Sequence, residues 1–290
     1  MKHLLSHLAV AFLWLLHWLP IGALRACGRG LGRFFYAVGR ERRKVTLTNL
    51  ALCFPDMPSV EREQLARRHV IAFACAALDR VLLWWAPKSR LERLIRVTGR
   101  EYLFPADGRP VVVLSPHFVG LDAAATRISM FGVGCSVYSR QKNPVFDRLM
   151  FEGRRRFSET ILFSRQDGLR KIVKTMKEGH PFYYLPDMDF GPKESIFVPF
   201  FGVSAATIPA LSRLVRLTNA HVVPCIAHLL DDGYEIEIQP PWDNFPGESV
   251  EADTAAMNRY IESQVLRMPE QYFWLHKRFK TRPPGEQRFY

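Results

Sequence analysis

The feature that most restricts the fold of this 290-residue chain is an uncharged apolar run near its N-terminus. Residues 4–24 contain no Lys, Arg, Asp or Glu, and a helix of that length would span roughly 30 Å, about one hydrocarbon core. Seven basic residues and one acid follow by position 44, which places the rest of the chain in the cytoplasm under the positive-inside rule. We therefore predict a membrane anchor with a transmembrane helix at residues 1–24 and a cytoplasmic domain at 25–290.

Two alternatives for this segment remain open. His7, His17 and Pro20 are poor residues for a deep span, so the segment is also compatible with a helix that lies in the membrane interface. A cleaved signal peptide is a weaker alternative, because the apolar run is long and only Lys2 and histidines precede or interrupt it. Either membrane arrangement would hold the body of the protein against the bilayer.

The net charge of the chain indicates which kinds of molecule it binds. Lys and Arg number 40 against 28 acidic residues, which gives a net charge of +12. Such a chain favours nucleic acid, an acidic membrane surface, an acidic protein or a phosphorylated substrate. The hydrophobic N-terminus favours a membrane, so we expect no nucleic-acid partner. The five cysteines form no CxxC pair and are expected to be reduced, as in a cytosol-facing protein.

Short apolar runs alternate with amphipathic stretches through the body of the chain. The β-branched or aromatic runs predict strands at 110–114, 135–138, 181–185, 222–226 and 234–238. Helices are predicted from about Ser59 to Leu94, with the helical periodicity ending near Trp85 and Pro87, and at 120–130, 147–157, 168–178 and 252–268. This alternation predicts an α/β fold in which a mixed central sheet is flanked by helices.

His117 and Asp122 form the central candidate site. His117 follows the predicted strand at 110–114 and Asp122 opens the next helix, and α/β sheets gather their sites at the carboxyl ends of strands. A carboxylate bonded to one ring nitrogen would leave the other nitrogen as a general base. The nucleophile would then be a substrate hydroxyl, since the pattern lacks a protein serine. The alternative is structural, with His117 capping a loop and Asp122 capping a helix.

Further candidates lie in two polar segments. Residues 154–156 are three arginines on a predicted helix, and the planar guanidinium suits phosphate or carboxylate, although a solvated basic face is equally compatible. Asp187 and Asp189 follow the strand at 181–185, where they would bind a metal ion, cap turns or orient arginines. We favour the last two roles and predict no metal ligands.

Two aromatic segments are candidates for lipid contacts. Phe197, Phe200 and Phe201 would line an acyl-chain pocket or pack in the core. Residues 272–283 interleave aromatic residues with four cations, which suits a phosphate-rich headgroup and, as a lesser alternative, RNA.

With these residues identified, the chain resembles the lipid A biosynthesis lauroyl/myristoyl acyltransferase family over nearly its whole length. The motif at His117 and Asp122 is shared with the wider glycerolphosphate acyltransferase superfamily. More specific matches are NLALCFP from Asn49 to Pro55, QKNP from Gln141 to Pro144, PDMDFGPKESIFVPFFG from Pro186 to Gly202 and FWLHKRFKTRPPG from Phe273 to Gly285.

The resemblance implies an enzyme on the cytoplasmic face of the inner membrane that needs no cofactor. It would move a lauroyl- or myristoyl-like chain from acyl-acyl carrier protein to a 3-hydroxyacyl hydroxyl of a Kdo-bearing lipid A precursor. His117 would be the base and Asp122 its partner, although some relatives carry Glu there. Arg154 would bind substrate, but the adjacent arginines leave this assignment open. The other expected substrate-binding residues are Asn143, Asp187, Asp189 and Lys193.

Three rival functions remain. The nearest is acyl transfer to a smaller acceptor, such as a lysophospholipid or a glycerolphosphate. A different class is a metal-dependent phosphohydrolase that uses His117, Asp122, Asp187 and Asp189. The third is a lipid-binding protein without catalytic activity.

Overall fold

The computed structural model of the protein describes residues 3–164 and 166–290. The α-helices of this part of the chain are α1 (Leu4–Leu16), α2 (Ile21–Val38), α3 (Arg40–Cys53), α4 (Ser59–Trp85), α5 (Lys88–Leu94), α6 (Leu121–Ser129), α7 (Pro144–Arg154), α8 (Leu169–Lys177), α9 (Ala210–Thr218) and α10 (Val250–Arg267). The strands are β1 (Ile95–Thr98), β2 (Val111–Leu114), β3 (Cys135–Val137), β4 (Ile161–Phe163), β5 (Phe182–Tyr184), β6 (Ile196–Phe200), β7 (Val203–Thr207), β8 (His221–Leu230) and β9 (Gly233–Ile238). Short 3-10 helices lie at Arg100–Leu103, Pro192–Glu194 and Pro269–Gln271.

A seven-stranded sheet organises the fold, with the strand order β1-β9-β8-β2-β5-β3-β4. Its neighbouring strands are parallel except for β8 and β9, which form an antiparallel pair. β6 and β7 form a separate antiparallel hairpin. The sheet is therefore mixed and flanked by helices, which confirms the predicted α/β class.

Both faces of the sheet are covered. Val112 and Leu114 of β2 pack into one hydrophobic core, and Val111 and Val113 pack into another, with at most 3% of each residue exposed. A parallel strand that is buried on both sides has this uninterrupted apolar sequence. The first core includes residues of α8, α9 and α10, and the second includes residues of α4 and α6.

The N-terminal apolar run forms two helices, and the prediction of one long helix is wrong. α1 ends at Leu16 and α2 begins after Pro20, whose ring cannot continue a helix through its own position. Arg90 stabilises the bend, because its guanidinium donates hydrogen bonds to the carbonyl oxygens of His17 and Leu19. Across residues 3–164 and 166–290, no helix has both the length and the apolar character needed to cross a membrane. Residues 1 and 2 of the predicted anchor lie outside the described part.

α2 lies close against α4 because of two glycines. A Cβ atom on Gly28 would come within 2.8 Å of the Cys75 Cα, and one on Gly32 within 2.6 Å of the Ile71 Cα. The backbones of the two helices therefore touch along one face of α2. Both N-terminal helices expose large apolar side chains. These are Leu4, Leu5, Leu8, Phe12, Trp14, Leu15 and Trp18 of the α1 region and Leu31, Phe34, Phe35 and Val38 of α2.

Candidate active site

His117 and Asp187 meet at one edge of the sheet. β2 and β5 are parallel neighbours, and Leu114 lies opposite Tyr184 at their last paired position. His117 and Asp187 each come three residues after these strand ends. The Nδ1 atom of His117 lies 2.7 Å from Oδ1 of Asp187, and the backbone N–H of His117 donates to Oδ2 at 3.0 Å. The register of two adjacent strands thus sets this contact.

This contact fixes the protonation pattern of the His117 ring. An ionised carboxylate can accept hydrogen bonds but cannot donate them. Nδ1 therefore carries the proton, and Nε2 of the neutral ring is unprotonated. Burial would raise the pKa of Asp187, but the charge and hydrogen bonds of His117 hold that pKa below its usual range overall. The His117 side chain is 22% exposed and Asp187 only 1%, so the ring reaches solvent and its partner does not.

The C-terminal segment forms one wall of this site. The Phe273 ring stacks beside His117 at 6.4 Å between centroids, and the Phe273 N–H donates to the His117 carbonyl. The Asp189 N–H donates to Nε2 of His276, and burial lowers the pKa of His276 to about 4. Asp189 also accepts hydrogen bonds from the backbone and hydroxyl of Thr281. Asp189 therefore holds the C-terminal segment in place.

Asp122 does not contact His117 in this structure, contrary to expectation. It lies in the first turn of α6, where its Oδ2 accepts from Nε of Arg80 at 2.5 Å and its Oδ1 lies 3.5 Å from Nη2 of Arg154. Two guanidinium groups compete successfully for the carboxylate, because charged hydrogen bonds are stronger than those to a neutral imidazole. The structure thus gives His117 a different carboxylate from the one that spacing suggested.

The Asp122 cluster carries a net positive charge. Burial would raise the pKa of Asp122, but Arg80 and Arg154 lower it to about 2, so the carboxylate is ionised at neutral pH. One negative charge therefore faces two guanidinium groups. Arg154 also lies over the Tyr138 ring, with its Cζ 5.3 Å from the centroid.

A largely apolar cavity begins at this cluster. It lies between α4, α6, α7 and the adjoining strands, and the space between its walls is about 1030 Å³ when the solvent in its opening is counted. Among the residues that the structure describes, its only charged lining residues are Arg80, Asp122 and Arg154. From Asp122 the lining follows α6 to Ser129, about 10 Å of helix, and beyond the helix it includes Gly132 and Phe104. His117 does not line the cavity but precedes Asp122 by only five residues.

Of the three consecutive arginines, only Arg154 contacts Asp122. Arg155 pairs with Glu159. Arg156 donates to the carbonyl oxygens of Leu83 and Ala86. Arg154 is therefore the one of the three that belongs to the Asp122 cluster, and its assignment as a substrate-binding residue stays a prediction.

Two other predicted substrate-binding residues lie apart from the His117–Asp187 pair. Asn143 caps the N-terminus of α7, since its Oδ1 accepts from the Val145 N–H at 3.0 Å. Its Nδ2 donates to Ser6 of α1 at 2.8 Å, which ties α1 to the body. Lys193 is exposed on the short 3-10 helix at Pro192–Glu194.

The predicted acyl-pocket phenylalanines belong to the β6–β7 hairpin and do not line the cavity. Phe200 is 0% exposed and packs against Phe201, Tyr272 and Phe279. Phe197 is 36% exposed on the same strand. The core alternative, left open above, therefore describes Phe200.

Two other predictions from the sequence differ from what the structure shows. Arg278, one of the cations expected to meet a headgroup, is 2% exposed and donates to the carbonyl oxygen of Ala206. The acids proposed for metal-dependent chemistry are dispersed, since Asp122 faces arginines and Asp189 faces Thr281. Within the described ranges, no group of three His, Cys, Asp or Glu residues could hold a metal ion.

Sequence reasoning missed Arg80 and Phe273 as site residues. Arg80 lies 42 positions before its partner Asp122, in the middle of a long helix with other charged residues. No local pattern signals that contact. Phe273 belongs to an aromatic run that was noticed, but its stacking on His117 depends on how the C-terminal segment returns to β2.

Comparison with known proteins supports the resemblance noted above. The family model described as bacterial lipid A biosynthesis acyltransferase matches residues 1–281. The lipid A biosynthesis lauroyltransferase of Escherichia coli (strain K12) is 34% identical over 98% of this chain and 94% of its own length. The myristoyltransferase of the same organism is 33% identical over 88% of this chain and 80% of its own. Its palmitoleoyltransferase is 31% identical over 100% and 95%.

Proposed function

Because this chain belongs to the bacterial lipid A biosynthesis acyltransferase family, we propose that it transfers a lauroyl- or myristoyl-like chain from acyl-acyl carrier protein to a lipid A precursor. Family membership makes the protein an acyltransferase of lipid A biosynthesis. The acceptor in this proposal is the hydroxyl of a 3-hydroxyacyl chain on a Kdo-bearing precursor. The lauroyl, myristoyl and palmitoleoyl relatives support a long-chain donor, and their similar identities single out no one chain length.

His117 acts as the general base in this reaction. Its Nε2 removes the proton from the acceptor hydroxyl as the oxygen attacks the thioester carbonyl. A C–O bond forms, the C–S bond breaks, and the thiol of the carrier leaves with the proton held by the imidazolium. General-base assistance contributes roughly 10²–10⁴-fold, and the positioning of both substrates adds more.

The observation that carries this proposal is the state of the His117 ring. Nδ1 is committed to Asp187 at 2.7 Å, and within the described residues Nε2 has no hydrogen-bond partner. The ring is also partly exposed, so a substrate hydroxyl can reach Nε2. A histidine that only capped a loop would not need a buried carboxylate behind it.

We place the acyl tail in the cavity that runs along α6. Its wall is mainly apolar, while its polar end carries Arg80, Asp122 and Arg154. An acyl chain inserted from this end would leave its thioester near the cluster, on the His117 side of α6. The net positive charge there would stabilise negative charge that develops on the thioester oxygen.

The net charge of the protein supports a carrier protein as the acyl donor. Carrier proteins of this kind are acidic, and this chain has 12 more basic than acidic residues. Complementary charge increases the rate at which such partners meet. Transfer from acyl-carrier protein should therefore slow as ionic strength rises.

The test is a transfer assay with defined acceptors. Purified protein is given one acyl-acyl carrier protein together with the Kdo-bearing precursor or a lysophospholipid, and the products are identified by mass spectrometry. We expect acylated precursor and little acylated lysophospholipid. Preferential acylation of the lysophospholipid would overturn the proposed acceptor while leaving the acyltransferase chemistry intact.

We further propose that α1 and α2 hold the protein at the cytoplasmic face of the inner membrane. Leu8 and Phe12 of α1 are 57% and 61% exposed, and the other exposed large apolar residues of α1 and α2 concentrate near the N-terminus, as in a membrane-binding region. The basic residues that follow would attract anionic headgroups. Since α1 also contacts α7 through Ser6 and Asn143, this arrangement would bring the bilayer near the cavity.

Flotation with anionic phospholipid vesicles tests this arrangement. Leu8→Glu combined with Phe12→Glu should abolish co-flotation, because it places charge in this apolar region. The matched control is Leu217→Glu combined with Leu266→Glu, which alters residues that are 55% and 62% exposed on α9 and α10. Equal flotation of both double variants would contradict the assignment of this region.

A further inference from the structure

We propose that Asp187 is the positioning residue of His117, and that Asp122 instead aligns Arg80 and Arg154 in the charged part of the cavity lining. The inference rests on the role of His117 as the base, proposed above. It assigns separate tasks to two carboxylates that the spacing of the sequence does not distinguish.

Asp187 has the geometry of a positioning residue. It accepts a hydrogen bond from the His117 ring at Oδ1, 2.7 Å away, and the His117 backbone N–H lies 3.0 Å from Oδ2 and 3.2 Å from Oδ1. Its side chain is 1% exposed, so water does not compete for the ring contact. The backbone N–H adds a constraint, because it holds both carboxylate oxygens close to the His117 main chain.

Asp122 is committed to the arginines. Its Oδ2 is 2.5 Å from Nε of Arg80, and its Oδ1 is 3.5 Å from Nη2 of Arg154. A rotation of Asp122 toward His117 would leave two guanidinium groups without a counter-charge beside an apolar cavity. Such unpaired charges are strongly destabilising in a partly buried site. The carboxylate is therefore held where it is by its own partners.

The cluster around Asp122 suits contact with an anion. Arg80 uses only its Nε toward Asp122, and in the described residues its two Nη groups have no hydrogen-bond partner. The Arg80 and Arg154 side chains are 33% and 30% exposed, so both remain accessible from the cavity. Asp122 thus aims two guanidinium groups at the place where the thioester oxygen or a substrate phosphate would lie.

The ring tautomer of His117 gives a direct test. Nitrogen-15 NMR of ring-labelled protein, with the His117 signals assigned by their loss in His117→Gln, reports which nitrogen carries the proton. We expect Nδ1–H in the wild-type neutral ring. In Asp187→Asn we expect the amide oxygen at the Oδ2 position, which lies nearer the backbone N–H, so that the NH₂ group faces Nδ1 and the proton moves to Nε2. Asp122→Asn should leave the tautomer unchanged.

Kinetics separate the two roles. Asp187→Asn should lower kcat by roughly 10³–10⁴-fold, the scale of the equivalent change in a Ser-His-Asp triad, because Nε2 is no longer a base. Asp122→Asn should lower kcat/KM by misaligning Arg80 and Arg154, but leave the acid limb of the pH–rate profile in place, since His117 keeps its partner. Asp253→Asn removes another carboxylate that is 3% exposed, remote from this site, and is the matched control for burial.

The opposite pattern overturns the inference. A tautomer change or a moved acid limb in Asp122→Asn, with neither in Asp187→Asn, would make Asp122 the positioning residue. If Asp187→Asn does not fold, Asp187→Glu is the substitute variant, because it keeps the charge. The tautomer of the wild-type protein also tests the inference by itself, since Nε2–H would contradict the Asp187 contact. Near-normal turnover by His117→Gln would instead refute the proposed base and leave the tautomer result standing.

Discussion

Gly132→Leu should shorten the acyl chain that the enzyme accepts. Gly132 lies beyond the C-terminal end of α6 and lines the cavity at the opposite end of that helix from Asp122. A Cβ atom there would lie 3.7 Å from the Phe104 ring, an ordinary contact, so the backbone tolerates the substitution. The remaining carbons of leucine would occupy space that we assign to the end of the acyl tail.

The expected loss of activity follows from the volume of the leucine side chain. If its side chain displaces about three methylenes of the longest accepted chain, the loss is roughly 2.4 kcal/mol at about 0.8 kcal/mol per methylene. That corresponds to roughly a 60-fold lower kcat/KM for this donor, since each 1.4 kcal/mol is about tenfold. A donor that is shorter by about four carbons should be affected little, because its tail ends before Gly132.

The assay is competition among acyl-carrier proteins that differ only in chain length, with the products separated by mass. Gly30→Leu is the control, because a Cβ atom at that exposed position in α2 meets nothing within 4 Å. An unchanged preference in Gly132→Leu, or an equal loss for every chain length, would refute the assignment of the acyl tail to this cavity.

Two further predictions concern stability. Ionised Asp122, with its pKa lowered from 3.8 to about 2, contributes about 2 kcal/mol that is present above pH 3.8 and lost as pH falls through 2. Urea unfolding should therefore show the advantage of wild type over Asp122→Asn shrinking across that range, and a difference independent of pH would contradict the ion pairs. Gly32→Leu should cost about 1–3 kcal/mol, because its Cβ would lie 2.6 Å from the Ile71 Cα and force α2 away from α4. Thermal unfolding no lower than that of Gly30→Leu would contradict this packing.

Long or uninterrupted patterns were predictable from sequence. The apolar run at 110–114 became β2, and the stretch at 252–268 became α10 with a shift of one or two residues. The strands β1 and β4 were missed, and β1 follows α5 directly, so no turn residue marks where that strand begins. The β6–β7 hairpin was missed because its aromatic residues resembled a pocket lining. Its alternation instead places Phe200 inside and Phe197 outside.

The site residues that follow strands were predictable from sequence, but Arg80, Phe273 and the pairings among the side chains were not. Both His117 and Asp187 follow predicted strands, and that position alone marked them as candidates. Which carboxylate meets the ring depends on β2 lying beside β5, and strand order is a property of the whole sheet. The pairing of Arg80 with Asp122 likewise depends on how α4 crosses α6. The spacing of residues along the chain favoured Asp122 as the partner of His117. Spacing carries no information about which strands or helices lie side by side in the fold.

The measurement that tests the central claim most directly is a single-turnover transfer assay of His117→Ala. The protein is mixed with acyl-acyl carrier protein and the Kdo-bearing precursor, and the chemical step is timed. We expect the rate of the chemical step to fall by roughly 10²–10⁴-fold. His221→Ala, which removes an imidazole paired with Asp107 at 2.9 Å at the start of β8, should keep the wild-type rate. A near-normal rate in His117→Ala would contradict the role of this histidine as the base.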